Sequence, residues 1–196
     1  MTGGDPWPGA GVPGDWQSAL LVAVPEAEPA VREHRARLDS SARDGVPAHL
    51  TVLYPFLPPA SIDGAVLASL RRLFAGFAPF GVTLDRVSWF GADVVWLAPR
   101  DDEPFRALTG AAFAAFSGCP PYGGGYADVI PHLTIGDQGD LADRRGAAQA
   151  VSRRLPVDAR VTEVTLMAGP APGNLEIPPG QWRRLAAFPL GAPARA

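Results

Sequence analysis

Lysine is missing from this sequence: all 17 basic residues are arginine. Chemistry that runs through a lysine amine is therefore closed to the chain. That removes a Schiff base, a pyridoxal-phosphate anchor, a P-loop lysine and a lysyl-adenylate ligase intermediate. The arginines are permanently charged partners for phosphate but poor general bases. Cysteine is nearly as scarce. Cys119 stands alone, so no intramolecular disulfide forms and a reducing compartment is expected. No apolar run approaches the roughly eighteen residues of a membrane span. The segment 1–17 lacks the charged and apolar regions of a secretory signal and reads as a flexible Gly/Pro lead-in. The expected localisation is cytoplasmic. A net charge of −3 supplies no basic field for extended nucleic acid, although a small anion can still bind locally.

What remains is an ordinary globular composition. With 196 residues, 47% hydrophobic and 19% charged, the chain can bury one sizeable core. Strands are expected at Ala19–Glu26 and His49–Phe56, with a helix at Ala30–Ala42 between them. Apolar residues at helical spacing mark Ile62–Phe77, with Ser61 as its N-cap. A hairpin follows across Gly91 (Phe80–Phe90, then Asp93–Pro99), carrying Trp89 and Trp96 as expected core residues. A helix is expected at Glu103–Gly118, a strand at His132–Asp137 and a helix at Leu141–Leu155. Two last strands fall at Asp158–Gly169 and Trp182–Gly191. Each half runs strand, helix, strand, strand, which predicts an α+β fold of duplicated antiparallel sheets with helices outside. A lead-in is expected at 1–17 and a flexible tail at 191–196, on either side of the folded part.

Two of only three histidines share one context. His-Leu-Thr occurs at 49–51 and again at 132–134, about half the chain later. In a strand, residues i and i+2 share a face. His49 and Thr51 therefore project together, as do His132 and Thr134, while Leu50, Val52, Leu133 and Ile135 turn to the core. If a pseudo-twofold axis relates the halves, two imidazoles and two hydroxyls meet across one cleft. That set suits in-line phosphoryl chemistry. Near neutrality one imidazole can accept a proton while the other donates one, and the hydroxyls can bind non-bridging oxygens. Neither half shows His-x-x-x-His or a Cys/His cluster, and Asp128 and Asp137 read as loop and strand-end residues, so no metal and no cofactor are expected. Pro120–Pro131 ("PPYGGGYADVIP") reads as a flexible loop into the second motif. Its Tyr122 and Tyr126 either stack on a base at the cleft mouth or merely pack the loop.

The paired motifs, within "GVPAHLTVLYPFLPP" and "PPYGGGYADVIPHLTIGD", resemble the two-histidine phosphoesterase superfamily, in its bacterial 2′-5′ RNA ligase-like branch. The resemblance covers Ser18–Leu190. It implies a bilobal fold with both motifs facing a central cleft. It also implies hydrolysis of 2′,3′-cyclic phosphates to 2′-phosphates, with reverse 2′-5′ ligation as a minor activity. His49, Thr51, His132 and Thr134 match the family motif. Some members carry a basic residue where this chain has Leu53-Tyr54-Pro55. The implied partner is a small nucleotide or RNA end, with no extended nucleic-acid surface, no membrane and a monomeric chain. The alternatives are a non-catalytic nucleotide or phosphometabolite binder and a metal-dependent hydrolase.

Overall fold

The structure, a computed structural model, describes residues 16–126, 128–171 and 181–191. Eight strands and five helices follow in the order β1 (Trp16–Ala23), α1 (Glu28–Leu38), α2 (Ser40–Arg43), β2 (His49–Leu53), α3 (Gly64–Ala75), β3 (Phe80–Phe90), β4 (Val94–Pro99), α4 (Glu103–Ala115), β5 (Leu133–Gly136), α5 (Leu141–Ser152), β6 (Val157–Val161), β7 (Glu163–Pro170) and β8 (Arg183–Pro189). They form two four-stranded antiparallel sheets, ordered β2-β1-β7-β8 and β5-β4-β3-β6. The α+β, duplicated architecture expected from the sequence is present.

The two sheets trade strands. β3 follows β2 and α3 in the chain but joins β4 in the second sheet. β7 follows β5 and α5 but joins β1 in the first. The helices cross over as well: α1 packs on β5 and α4 packs on β2. The larger of two hydrophobic clusters consequently runs through both lobes, with Leu50 and Val52 of β2 and Leu133 and Ile135 of β5 in it, while Ala19, Leu21, Val46, Met167 and Trp182 form the smaller.

Several local expectations are corrected. Trp16 and Gln17 open β1 and are not part of a lead-in; 1–15 and 192–196 lie outside the described residues. The helix expected across Ala30–Ala42 breaks at Asp39, whose extended backbone starts α2 and whose carboxylate accepts from the Ser41 N–H at 2.9 Å. The N-cap of α3 is Asp63, not Ser61. Its side chain takes the Val66 N–H at 2.9 Å, while Ser61 ends a short turn begun by Pro59. The strand expected at Asp158–Gly169 divides at Thr162, so that β6 serves one sheet and β7 the other.

Candidate active site

β2 alternates as its pattern requires. Leu50 and Val52 are buried in the core, and His49 and Thr51 stand half-buried on the opposite face. The second motif repeats this: Leu133 and Ile135 are fully buried, while His132, just ahead of β5, and Thr134 share the other face. The two motif strands lie beside each other.

Each motif also carries the same irregularity. Leu20 faces Leu53 and Leu21 faces Thr51, so Val52 has no partner of its own. Val95 faces Gly136 and Trp96 faces Thr134, so Ile135 has none either. A bulge therefore follows the threonine in both strands. Such bulges bend a strand and re-aim the side chains around them.

Both imidazoles are held in one way. His49 Nδ1 lies 2.8 Å from the Pro47 carbonyl oxygen, and His132 Nδ1 lies 2.7 Å from that of Ile130. A carbonyl can only accept, so Nδ1 carries the proton of each neutral ring and Nε2 is the free base. Burial pushes the His49 imidazole down to about 4; the Arg35 guanidinium and a charge on His132 push the same way, while the bond to the Pro47 carbonyl and then Asp39 oppose them. Burial also lowers His132, against the bond to the Ile130 carbonyl and the Asp39 carboxylate. In the unliganded site burial thus favours the neutral form of both rings. A bound phosphate anion would raise them again, since opposite charge favours imidazolium.

Aromatic rings flank the second motif. Phe90 stands edge-on to the His132 ring, centroids 4.9 Å apart, and stacks on Trp96 at 4.7 Å; Trp96 in turn lies 5.7 Å from His132. Trp96 is buried, but on the face opposite Val95 and Leu97, beside the motif and outside the main core cluster. Trp89, half-buried, does pack on that core. On the other side Tyr122 reaches the first motif. Its N–H donates to the Tyr54 carbonyl at 2.6 Å, and its phenol faces the Thr51 hydroxyl. Tyr122 holds a left-handed backbone (φ 49°), a conformation that costs a non-glycine residue energy. Tyr126 sits at the rim, 68% exposed, its ring edge-on to Tyr122 at 5.7 Å.

The structure thus brings His49, Thr51, His132, Thr134 and Tyr122 together and leaves Tyr126 at the edge. Phe90 and Trp96 escaped the sequence reading as site residues. The alternation Val95-Trp96-Leu97 already separates Trp96 from the core face, but only the pairing with β5 puts it beside Thr134. Among the described residues no group of three or more His, Cys, Asp or Glu is placed to hold a metal ion. Cys119 is buried in the core, and burial pushes its thiol up, away from a nucleophile's range.

Residues 23–170 match the model of the 2′-5′ RNA ligase superfamily. The chain belongs to that superfamily. Solved structures with the same fold include E. coli LigT complexed with NADP+, 22% identical with a TM-score of 0.53 over 92% of this chain and 100% of that one. LigT complexed with 3′-AMP is 20% identical, with a TM-score of 0.55 over 91% of this chain and 99% of that one. The protein TT0787 of Thermus thermophilus is 19% identical, with a TM-score of 0.60 over 89% and 97%. A search of curated proteins returns no match. At these identities the solved structures speak for the fold of this 2′-5′ RNA ligase superfamily member. No helix among its described residues is long and apolar enough to cross a membrane.

Proposed function

We propose that the chain is a metal-independent phosphodiesterase that opens 2′,3′-cyclic phosphates on nucleotides or RNA ends. The observation that carries this reading is the pair of Nδ1-anchored imidazoles, each with a threonine hydroxyl on its own face. With a cyclic phosphate between them, one Nε2 takes a proton from water as the water oxygen bonds to phosphorus. The other ring, protonated in the field of the anion, gives its proton to the departing O3′. The P–O3′ bond breaks and a 2′-phosphate remains. Thr51 and Thr134 donate to the non-bridging oxygens, where charge gathers in the transition state. With a 5′-hydroxyl in place of water, the same step bonds O5′ to phosphorus, releases O3′ and leaves a 2′-5′ linkage. With no lysine to adenylate, ligation must pass through the cyclic phosphate.

Tyr126 at the rim and half-buried Phe90 beside His132 offer ring faces to a base. Tyr122, whose phenol faces Thr51, is the tyrosine nearer the phosphate. The E. coli relative holds 3′-AMP and NADP+ in its complexes, which supports a small nucleotide as the substrate class here. We assign the chain to the cytoplasm as a monomer; its lone, buried cysteine suits a reducing compartment. The test is turnover of 2′,3′-cyclic nucleotides in excess chelator. A 2′-phosphate product at an undiminished rate is expected. Binding without turnover would instead make the chain a nucleotide binder, and activity lost on chelation would make it a metal enzyme.

A further inference from the structure

The two halves hold their histidines through the same carbonyl contact but support that carbonyl differently. Behind the first motif lies a buried ion pair. Arg35 Nε donates to Asp39 at 2.7 Å, and the two residues are 3% and 2% exposed. Arg35 Nη2 also donates to the Val46 carbonyl at 3.2 Å and to Ser41 Oγ at 3.3 Å. Asp39 in turn accepts from the Ser41 N–H and hydroxyl at 2.9 and 2.8 Å. Two residues on from Val46, the Ala48 N–H donates to Glu28 Oε1 at 2.8 Å, and that oxygen lies 3.7 Å from Arg35 Nη1. The Ala48 carbonyl is itself taken by the Val24 N–H at 2.8 Å. Val46 and Ala48 are thus pinned on either side of Pro47, whose carbonyl receives His49 Nδ1–H.

The second half has a lighter counterpart. Arg106 of α4 bonds Asp102 at 2.9 Å and Asp128 at 2.6 Å. Asp128 stands two residues before Ile130, whose carbonyl receives His132 Nδ1–H. Here the arginine side chain is 33% and the Asp128 side chain 67% exposed. One arginine from a helix earlier in the same half, Arg35 of α1 or Arg106 of α4, steadies the approach to each motif, but only the first is buried.

We infer that Glu28, Arg35 and Asp39 form a positioning network for His49, fixing the turn whose carbonyl sets its tautomer and ring direction. The inference rests on the two-histidine reading of the site. The network's hydrogen bonds to the backbone fall on Val46 and Ala48, on either side of the carbonyl that holds His49. The charged and titratable groups facing the His49 ring are Arg35 from α1, Asp39 from the α1–α2 corner and His132 from the second motif. Asp39 also faces His132, whereas Arg35 does not figure among the influences on that ring.

The experiment uses the imidazole nitrogen resonances of the full chain, whose three histidines make assignment direct. In Arg35→Gln the His49 titration is expected to rise toward the ordinary value of about 6.5, with partial loss of its Nδ1–H signature. His34 keeps its own, and His132 keeps its Nδ1–H signature. For a small cyclic nucleotide, kcat is expected to fall about 10- to 100-fold, the range for partners that orient a functional histidine, with KM little changed. Removing Arg35 strands the buried Asp39 carboxylate, so Glu28→Ala is the second variant. It deletes the partly exposed acceptor of Ala48 and is expected to weaken the His49 Nδ1–H signature alone. Arg106→Gln is expected to disturb His132 and spare His49. Unchanged His49 resonances in every folded variant, or equal shifts in all three histidines, would overturn the inference. The spectra are read without substrate. A protein that turns over no cyclic phosphate would defeat the proposed reaction, yet the positioning network would still be judged on its own readout.

Discussion

Thr51 and Thr134 occupy equivalent places: each is the last paired residue before a bulge, facing Leu21 in one sheet and Trp96 in the other. Valine at either position keeps the β-branched shape and removes the hydroxyl. Thr51→Val and Thr134→Val are each expected to lose roughly 10²- to 10³-fold in kcat, about 2.7–4 kcal/mol of barrier, as for a deleted oxyanion donor. Chemical denaturation should show little change in stability. Near-normal kinetics in both variants would reduce the threonines to strand formers.

The histidines carry a sharper expectation. His49→Ala and His132→Ala should each cut turnover by about 10²- to 10⁴-fold, the usual worth of a positioned acid or base. His34 on α1 is the internal control, and His34→Ala should leave the rate intact. Steady-state kinetics on one cyclic nucleotide decides it; equal losses in all three would sink the assignment.

The pH dependence follows from burial. Both rings titrate below the ordinary imidazole value in the unliganded site, His49 at about 4. The profile of kcat/KM reports the free enzyme, so its optimum should fall on the acid side of about 6.5. The profile of kcat reports the complex, where the phosphate anion favours imidazolium, so its optimum should lie at higher pH. The limbs belong to the pair of rings, and deleting one histidine should abolish one limb. Profiles measured with chelator present test this, and coincident optima would contradict it.

Stability has its own pH signature. A histidine whose folded pKa is depressed binds its proton more readily in the unfolded chain. The contribution of His49 is therefore complete above its unfolded pKa of about 6.5 and is lost as pH falls toward its folded value of about 4. Denaturation of wild type and His49→Ala between those limits should show wild type losing more stability on acidification. Parallel curves would mean that the ring is not buried in solution.

Gly136 offers a purely steric test. A Cβ there would lie 2.8 Å from Leu38 Cβ and 3.3 Å from its carbonyl oxygen. The contact is tight because the Leu38 carbonyl already accepts from Asp137 N and Gln138 N at 2.8 and 2.9 Å. Gly136→Ala should cost about 1–3 kcal/mol, the usual penalty for overpacking, visible as a lowered Tm. An unchanged Tm would show that α1 can back away from β5 at no cost.

The motifs were legible in the sequence because they are local. Alternation alone puts His49 with Thr51 and His132 with Thr134, and core burial of Leu50, Val52, Leu133 and Ile135 follows from the same period. What surrounds them was not legible. Phe90 reaches His132 only because β4 pairs with β5 across the whole of α4. Glu28 reaches Ala48 across 20 positions of chain. Asp39 reads as one more polar residue on a helix until its carboxylate turns to cap the next one. The division at Thr162 was hidden for a similar reason: both sides are strand-forming, and only the sheets they join tell them apart.

The traded strands have a consequence for how the site comes into being. β1 and β2 remain a two-stranded ribbon with an open edge until β7 arrives from near the far end of the chain. Such a ribbon is marginal in water by itself. The central partner of the first histidine's sheet is thus delivered after the second histidine has already been made. A nascent chain that has emerged only as far as α4 holds His49 without its finished sheet and without its counterpart. Catalytic competence in this molecule therefore comes with closure of the whole topology, and neither half can carry it in advance.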